Sequence, residues 1–139
     1  MSDTDIIIFT SNADKINDLF EKAIKLFLED SASSLEEKAR ENTAVKSGRT
    51  RNAWRHEVSD EGRSAVVGNT LENSVWEEFG TGEYALSGNG RKDGWVYKDD
   101  EGFHHTYGKL PKRPLFNAFM QKRPEIENKA KAIFGEVFL

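Results

Sequence analysis

From Asn12 to Asn42 the apolar residues Ile16, Leu19, Phe20, Ala23, Ile24, Phe27 and Leu28 recur three and four apart, the period of one helical stripe. Asn12 is a candidate cap for its start. Beyond the stripe, "SASSLEEKAREN" either continues the helix on the weaker pair Leu35 and Ala39 or begins a second one. The break would fall at Ser31–Ser34, where Ser33 or Ser34 with Glu36 or Glu37 resembles a fresh cap. Unbroken, the helix would be about 45 Å long, more than a domain of this size can cover.

The period then shortens. "AWRHEVS" and "RSAVVGNT" flank "DEG", with Gly62 able to take the positive φ of a tight turn. "GWVYKD" and "GFHHTYG" repeat the device around a second "DEG", with Gly102 at the bend. Trp95, Tyr97, Phe103 and Tyr107 are expected to give that hairpin one apolar face. Between the hairpins, "LENSVWEEF" predicts a short helix capped by Asn69, Thr70 or Asn73 and ending at Gly80. Phe79 is the expected core anchor of that helix.

"GTGEYALSGNGRKDG" is then loop, and residues 80–94 are expected to be mobile until a neighbour packs on them. Pro111, Pro114 and Pro124 stand where helices begin. They predict a short stretch from Leu115 and a final helix carrying Ile126, Ala130, Ile133, Phe134 and Val137. The pattern as a whole predicts an α+β fold in a single domain, 1–139. It comprises a long N-terminal helix, an antiparallel sheet built mainly from two β-hairpins, a short connecting helix, and a C-terminal helix packed on the sheet.

Charge and composition narrow the function. A net charge of -4 speaks against a protein whose main task is to grip nucleic-acid phosphates. With no cysteine, thiol nucleophiles, disulfides and thiolate metal sites are excluded. No apolar run approaches the roughly 20 residues that cross a bilayer, and "MSDTDIIIFTSNADK" has acids where an export signal has bases, so no membrane role is expected.

"GNGRKDG" lacks the spacing and the Gly-Lys-Ser/Thr ending of a phosphate loop. His104 and His105 would point to opposite faces of a strand and cannot chelate one ion together, while His56 stands alone. Glu77 and Glu78 diverge as neighbours, which favours a solvated acidic face over an acid–base pair. Thr81 has no visible activator. No catalytic residue, cofactor or metal is expected, so the chain reads as no enzyme. A hydrolase around Glu78, Thr81 and His104 is the weakest reading. The principal rival is a nucleic-acid-binding module using Arg49, Arg51 and Arg55, with Arg91 and Lys92 nearby.

Several fragments in fixed order resemble one family. After the long helix come "TAVKSGRTRNAW", "VGNTLENSVWEEFGTG", a glycine-rich excursion, and "GKLPKRPLFNAF" before a last helix. This is similar to the neck or tail-completion (minor tail component) family of long-tailed double-stranded DNA bacteriophages and their prophages. That family's pattern runs Thr-Gly-x-Leu-Arg, Val-Gly, Glu-Phe-Gly-Thr-Gly, then Arg-Pro-Phe-hydrophobic. Here the matching positions are Ser47, Gly48, Arg49 and Arg51, then Val67, Gly68 and Glu78 through Gly82, then Arg113, Pro114, Leu115, Phe116 and Ala118. Serine replaces threonine before Gly48, and Leu-Phe stands for Phe-Leu.

The resemblance implies a structural virion protein of the head–tail junction, made in the host cytoplasm. It would assemble as a homo-oligomeric ring, hexameric in the virion, with a monomeric isolated subunit left open. Its partners would be head-closure or connector proteins and tail-terminator or tail-tube proteins, with DNA passing through the channel without sequence recognition. Arg49, Arg51, Glu78, Phe79, Gly80, Thr81, Gly82, Arg113 and Pro114 are then packing or interface positions.

Overall fold

The computed structural model describes residues 3–45 and 48–135, with side chains described from Asp14 onward. Ser47 therefore lies outside the described residues. The fold is α+β. In chain order it runs α1 (Asp3–Asn42), α2 (Arg49–Asn52), β1 (Trp54–Val58), β2 (Ala65–Asn69), α3 (Ser74–Phe79), a 3-10 turn (Gly82–Tyr84), β3 (Trp95–Asp99), β4 (Gly102–Thr106) and α4 (Pro114–Phe134).

Helix α1 is continuous for 40 residues, about 60 Å at 1.5 Å per residue. It begins at Asp3, so Asn12 lies inside it and does not cap it. The break considered at Ser31–Ser34 does not occur, because Ser31 and Ala32 are buried where other elements pack on the helix. The end of α1 is keyed to β1. The Thr43 hydroxyl donates to the Ala39 carbonyl at 2.7 Å and accepts the Trp54 indole N–H at 2.7 Å.

The first hairpin lies along α1 with Trp54, His56 and Val58 on the helix side. From Trp54 it runs toward the helix N-terminus, reaching Lys25 at Gly62 and Glu21 at Arg63. Helix α4 runs antiparallel to α1. Asn42 donates to the Pro114 carbonyl at 3.2 Å at one end, and Phe134 meets Phe20 and Phe27 edge-on at 5.5 and 5.6 Å at the other. Leu115 and Ala118 of α4 join Ala39 and Trp54 in one cluster, which is where α4 packs on the first sheet.

Two sequence expectations change. Helix α4 is a single helix with Pro124 inside it, not two helices separated by that proline. Proline removes one N–H from the ladder. The orphaned carbonyl belongs to Met120, and both residues are exposed, so water can take the lost bond while packing on α1 holds the helix together.

The second hairpin also differs. Its register pairs Trp95 with Thr106, Tyr97 with His104 and Lys98 with Phe103. Cross-strand partners share a face, so Trp95 and Tyr97 lie on one side and Phe103 and Tyr107 on the other. The expected single apolar face is replaced by two aromatic ones. Each hairpin is its own two-stranded sheet.

The interior is thin. Among the described residues the buried hydrophobic core residues are Ala32, Ala39, Ala53, Trp54, Ala118 and Ala130, and no large side chain is completely enclosed.

Candidate functional site

The two motifs of the sequence pattern, "EFGTG" and "GKLPKRPLF", meet in space and form a clasp. Thr81 N–H donates to the Lys109 carbonyl at 2.9 Å, Lys109 N–H returns to the Thr81 carbonyl at 3.2 Å, and Glu83 N–H reaches the Tyr107 carbonyl at 2.9 Å. The Thr81 hydroxyl also accepts from Lys109 N–H at 2.9 Å, and Glu77 pairs with the Lys109 ammonium.

The glycines are required by this approach. A Cβ on Gly82 would stand 2.1 Å from the Tyr107 carbonyl oxygen, and one on Gly108 would stand 2.1 Å from that of Thr81. Gly80, at φ 73, ends α3 and passes under Lys109 and Pro111. The backbone that approaches these glycines is the chain's own.

Glu78 holds the clasp to α4. It is only 8 % exposed, and its carboxylate accepts Leu115 N–H at 2.8 Å and Phe116 N–H at 3.2 Å. These are two of the four N–H groups that a helix start leaves unpaired. Arg113, the residue before Pro114, makes no side-chain cap of its own, so a carboxylate from 37 residues back does that work. Negative charge there also suits the helix dipole. Arg113 adopts φ 53, a left-handed conformation, although a following proline favours the extended region for the residue before it. The strained backbone is held by Arg113 N–H on the Glu77 carbonyl and by the guanidinium stacked 3.9 Å over the Phe116 ring, 3.8 Å from Glu78.

Two expectations invert here. Glu78 is not part of a solvated acidic face, because α4 brings donors to it. Phe79 is not a core anchor, being 50 % exposed. Both Glu78 and Thr81 are committed to structure, as acceptors of backbone N–H groups. Arg49 and Arg51 sit on α2, and the Arg55 guanidinium lies on the Asn52 and Trp54 carbonyls, both at 2.7 Å. Arg91 pairs with Asp93 at 2.8 Å. His104 and His105 do face opposite ways. Sequence reasoning missed the convergence of His104 with Asp99 and Glu101 at the second hairpin's turn. Asp99 accepts the Glu101 N–H at 2.8 Å and lies 2.8 Å from the His104 ring, contacts that close the turn.

His56, read as solitary, bridges the first hairpin to α1. Its ring nitrogens lie 2.7 Å from Glu29 and 2.5 Å from Glu36. Only the protonated ring can donate to both carboxylates, and its hydrogen bonds to Glu29 and then to Glu36 push its pKa above 6.5, burial opposing. Burial pushes Glu36 up, but hydrogen bonds from His56 and Arg40 outweigh it and hold the carboxyl below 4.5. The His56 contribution to stability is therefore present below about pH 6.5 and lost as pH rises through the raised folded value. That of Glu36 is present above about pH 4.5 and lost as pH falls. Melting temperature is expected to decline from pH 6 to pH 8.5 in the wild type. A His56→Gln variant followed by circular dichroism should lack that decline; an equal slope in both would reject the bridge.

The fold is thus a small α+β unit with an extended helix, tied together by a backbone clasp. Residues 9–80, just over half of the chain, match the family described as "Bacteriophage HK97-gp10, putative tail-component", and the chain belongs to that family. It is thus a phage tail-component structural protein, a class that works in contact with other virion proteins. Neither the curated proteins nor the solved structures gave a match. Among the described residues, no helix is long and apolar enough to cross a membrane.

Proposed function

We propose that this protein is a non-catalytic ring subunit of the phage head–tail junction. In this role it completes the neck or tail around the channel through which DNA passes without sequence recognition. The observation that carries the reading is the mismatch between core and surface. Among the described residues the buried hydrophobic side chains of the core are five alanines and Trp54, while Trp76, Phe79, Tyr97, Phe103, Leu110 and Phe119 are among the large apolar side chains left exposed. A folded monomer gains nothing from leaving so many large apolar side chains in water, and interfaces use them.

The segment from Ser87 to Lys92, exposed but for Gly90, is on this view a docking loop that orders fully against a neighbour. Arg49, Arg51, Phe79 and Arg113 belong to or border the contact surfaces. Connector and tail-terminator or tail-tube proteins are the proposed partners above and below.

The test is molar mass by light scattering across protein concentration, alone and with neighbouring connector and tail subunits, followed by electron microscopy of the largest species. A closed ring, six subunits in the virion, is the expected product. A chain that stays monomeric in every mixture would refute the assignment.

A further inference from the structure

We propose that subunits join head to tail, the acidic N-terminal end of α1 in one copy docking on the arginine-bearing and aromatic end of a second copy. The inference rests on the ring reading above and names its contact surfaces.

Among the described side chains, the contacts of α1 with the first hairpin and α4 reach Glu21 and Phe20. The helix then continues 17 residues further, from Leu19 to Asp3, about 25 Å. Ile16 and Leu19, on this stretch, are each 66 % exposed. Between Asp3 and Glu21 the chain carries Asp3, Asp5, Asp14, Asp18 and Glu21 against the single base Lys15.

At the other end of the same helix arginines gather, with Glu72 lining the cleft beside Arg49. Arg49 and Arg51 lie on α2, and Arg55 on the outward face of β1. Beside them α3 presents Val75 and Trp76, and an open cleft of about 670 Å³ runs between Trp76, Trp95, Tyr97 and Lys109.

These two ends are separated by the length of α1, about 60 Å, so one chain cannot bring them together. Two copies can. Contact between like ends would set acids against acids, a repulsion that selects against it. Contact between unlike ends is heterologous and propagates, closing into a ring when the rotation allows.

The absence of cysteine makes the test clean. Ile16→Cys and Val75→Cys variants are purified separately, mixed under assembling conditions, and treated with a short bis-maleimide while molar mass is followed on the same sample. Cross-linked 16-to-75 pairs should form in the mixture and not in either variant alone. Adding Asp14→Lys and Asp18→Lys to the first variant should cut the yield on the order of tenfold, and Arg49→Glu with Arg51→Glu in the second should restore it. Ring-sized oligomers that give no 16-to-75 product, or only 16-to-16 or 75-to-75 products, overturn the docking mode and leave the ring reading standing. No oligomer at any concentration overturns both.

Discussion

Alanine at Gly82 or Gly108 should prevent the clasp from closing. Each new methyl would overlap a backbone carbonyl oxygen at 2.1 Å, and each glycine has a positive φ, 61 and 130. Backbone cannot swing aside as a flexible side chain can, so both strands of the clasp must separate. The backbone conformation alone costs roughly 1 kcal/mol, and the clash with backbone together with loss of the paired bonds between Thr81 and Lys109 brings the total to on the order of 3 kcal/mol or more. For a domain of this size that lowers the melting temperature by about 10 °C or more, and much of the expressed chain will be insoluble.

Two control substitutions make the prediction specific. Gly88→Ala faces open space at φ 75, so it carries the conformational cost without the clash and should lose only about 1 kcal/mol. Gly68→Ala meets nothing within 4 Å and has no positive φ, so it should be near neutral. Nothing in this chain explains the glycine at 68. Thermal melts of the four variants check the ranking; Gly82→Ala melting alongside Gly68→Ala would show that the clasp does not form.

Glu78→Ala is the second large effect. It strips the start of α4 of its acceptor and leaves Leu115 N–H and Phe116 N–H facing each other's surroundings without a partner. Hydrogen bonds to a charged group contribute about 1.5–3 kcal/mol each, and unsatisfied donors in a buried place cost more than the bonds themselves. Water reaching part of the site moderates the sum, so the expected loss is about 2–4 kcal/mol. Glu78→Gln keeps one carbonyl acceptor and should lose about half of that. Urea denaturation separates the two, and amide exchange should show Leu115 and Phe116 losing protection ahead of the centre of α4. A Glu78→Ala variant as stable as the wild type would mean that the carboxylate is placed for another chain to use.

The contrast between Glu78 and Phe79 shows where local reasoning stops. Side by side on α3, they read as a surface acid and a core aromatic, since an isolated helix offers a carboxylate nothing better than water. Their environments are exchanged because α4 starts at Pro114 and points two unpaired N–H groups at Glu78, while α3 has no apolar layer to receive Phe79. Pro124 teaches the same lesson: a proline ends a helix only where nothing else holds the next turn, and α1 holds it here.

Patterns carried by neighbours in sequence were legible from the residues. The stripe from Ile16 to Leu28, the two turns with Gly62 and Gly102, and the end of α3 at Gly80 each depend on contacts a few residues apart, so periodicity and φ preferences suffice to place them. The pairing of "EFGTG" with "RPLF" was visible as order along the chain but not as contact. That Tyr107 to Pro114 folds onto Gly80 to Glu83, that His56 finds two carboxylates on α1, and that the second hairpin shows aromatics on both faces were settled by packing between distant segments. Those arrangements depend on donors, acceptors and strand register that come together only when the chain is folded, and no short-range pattern encodes them.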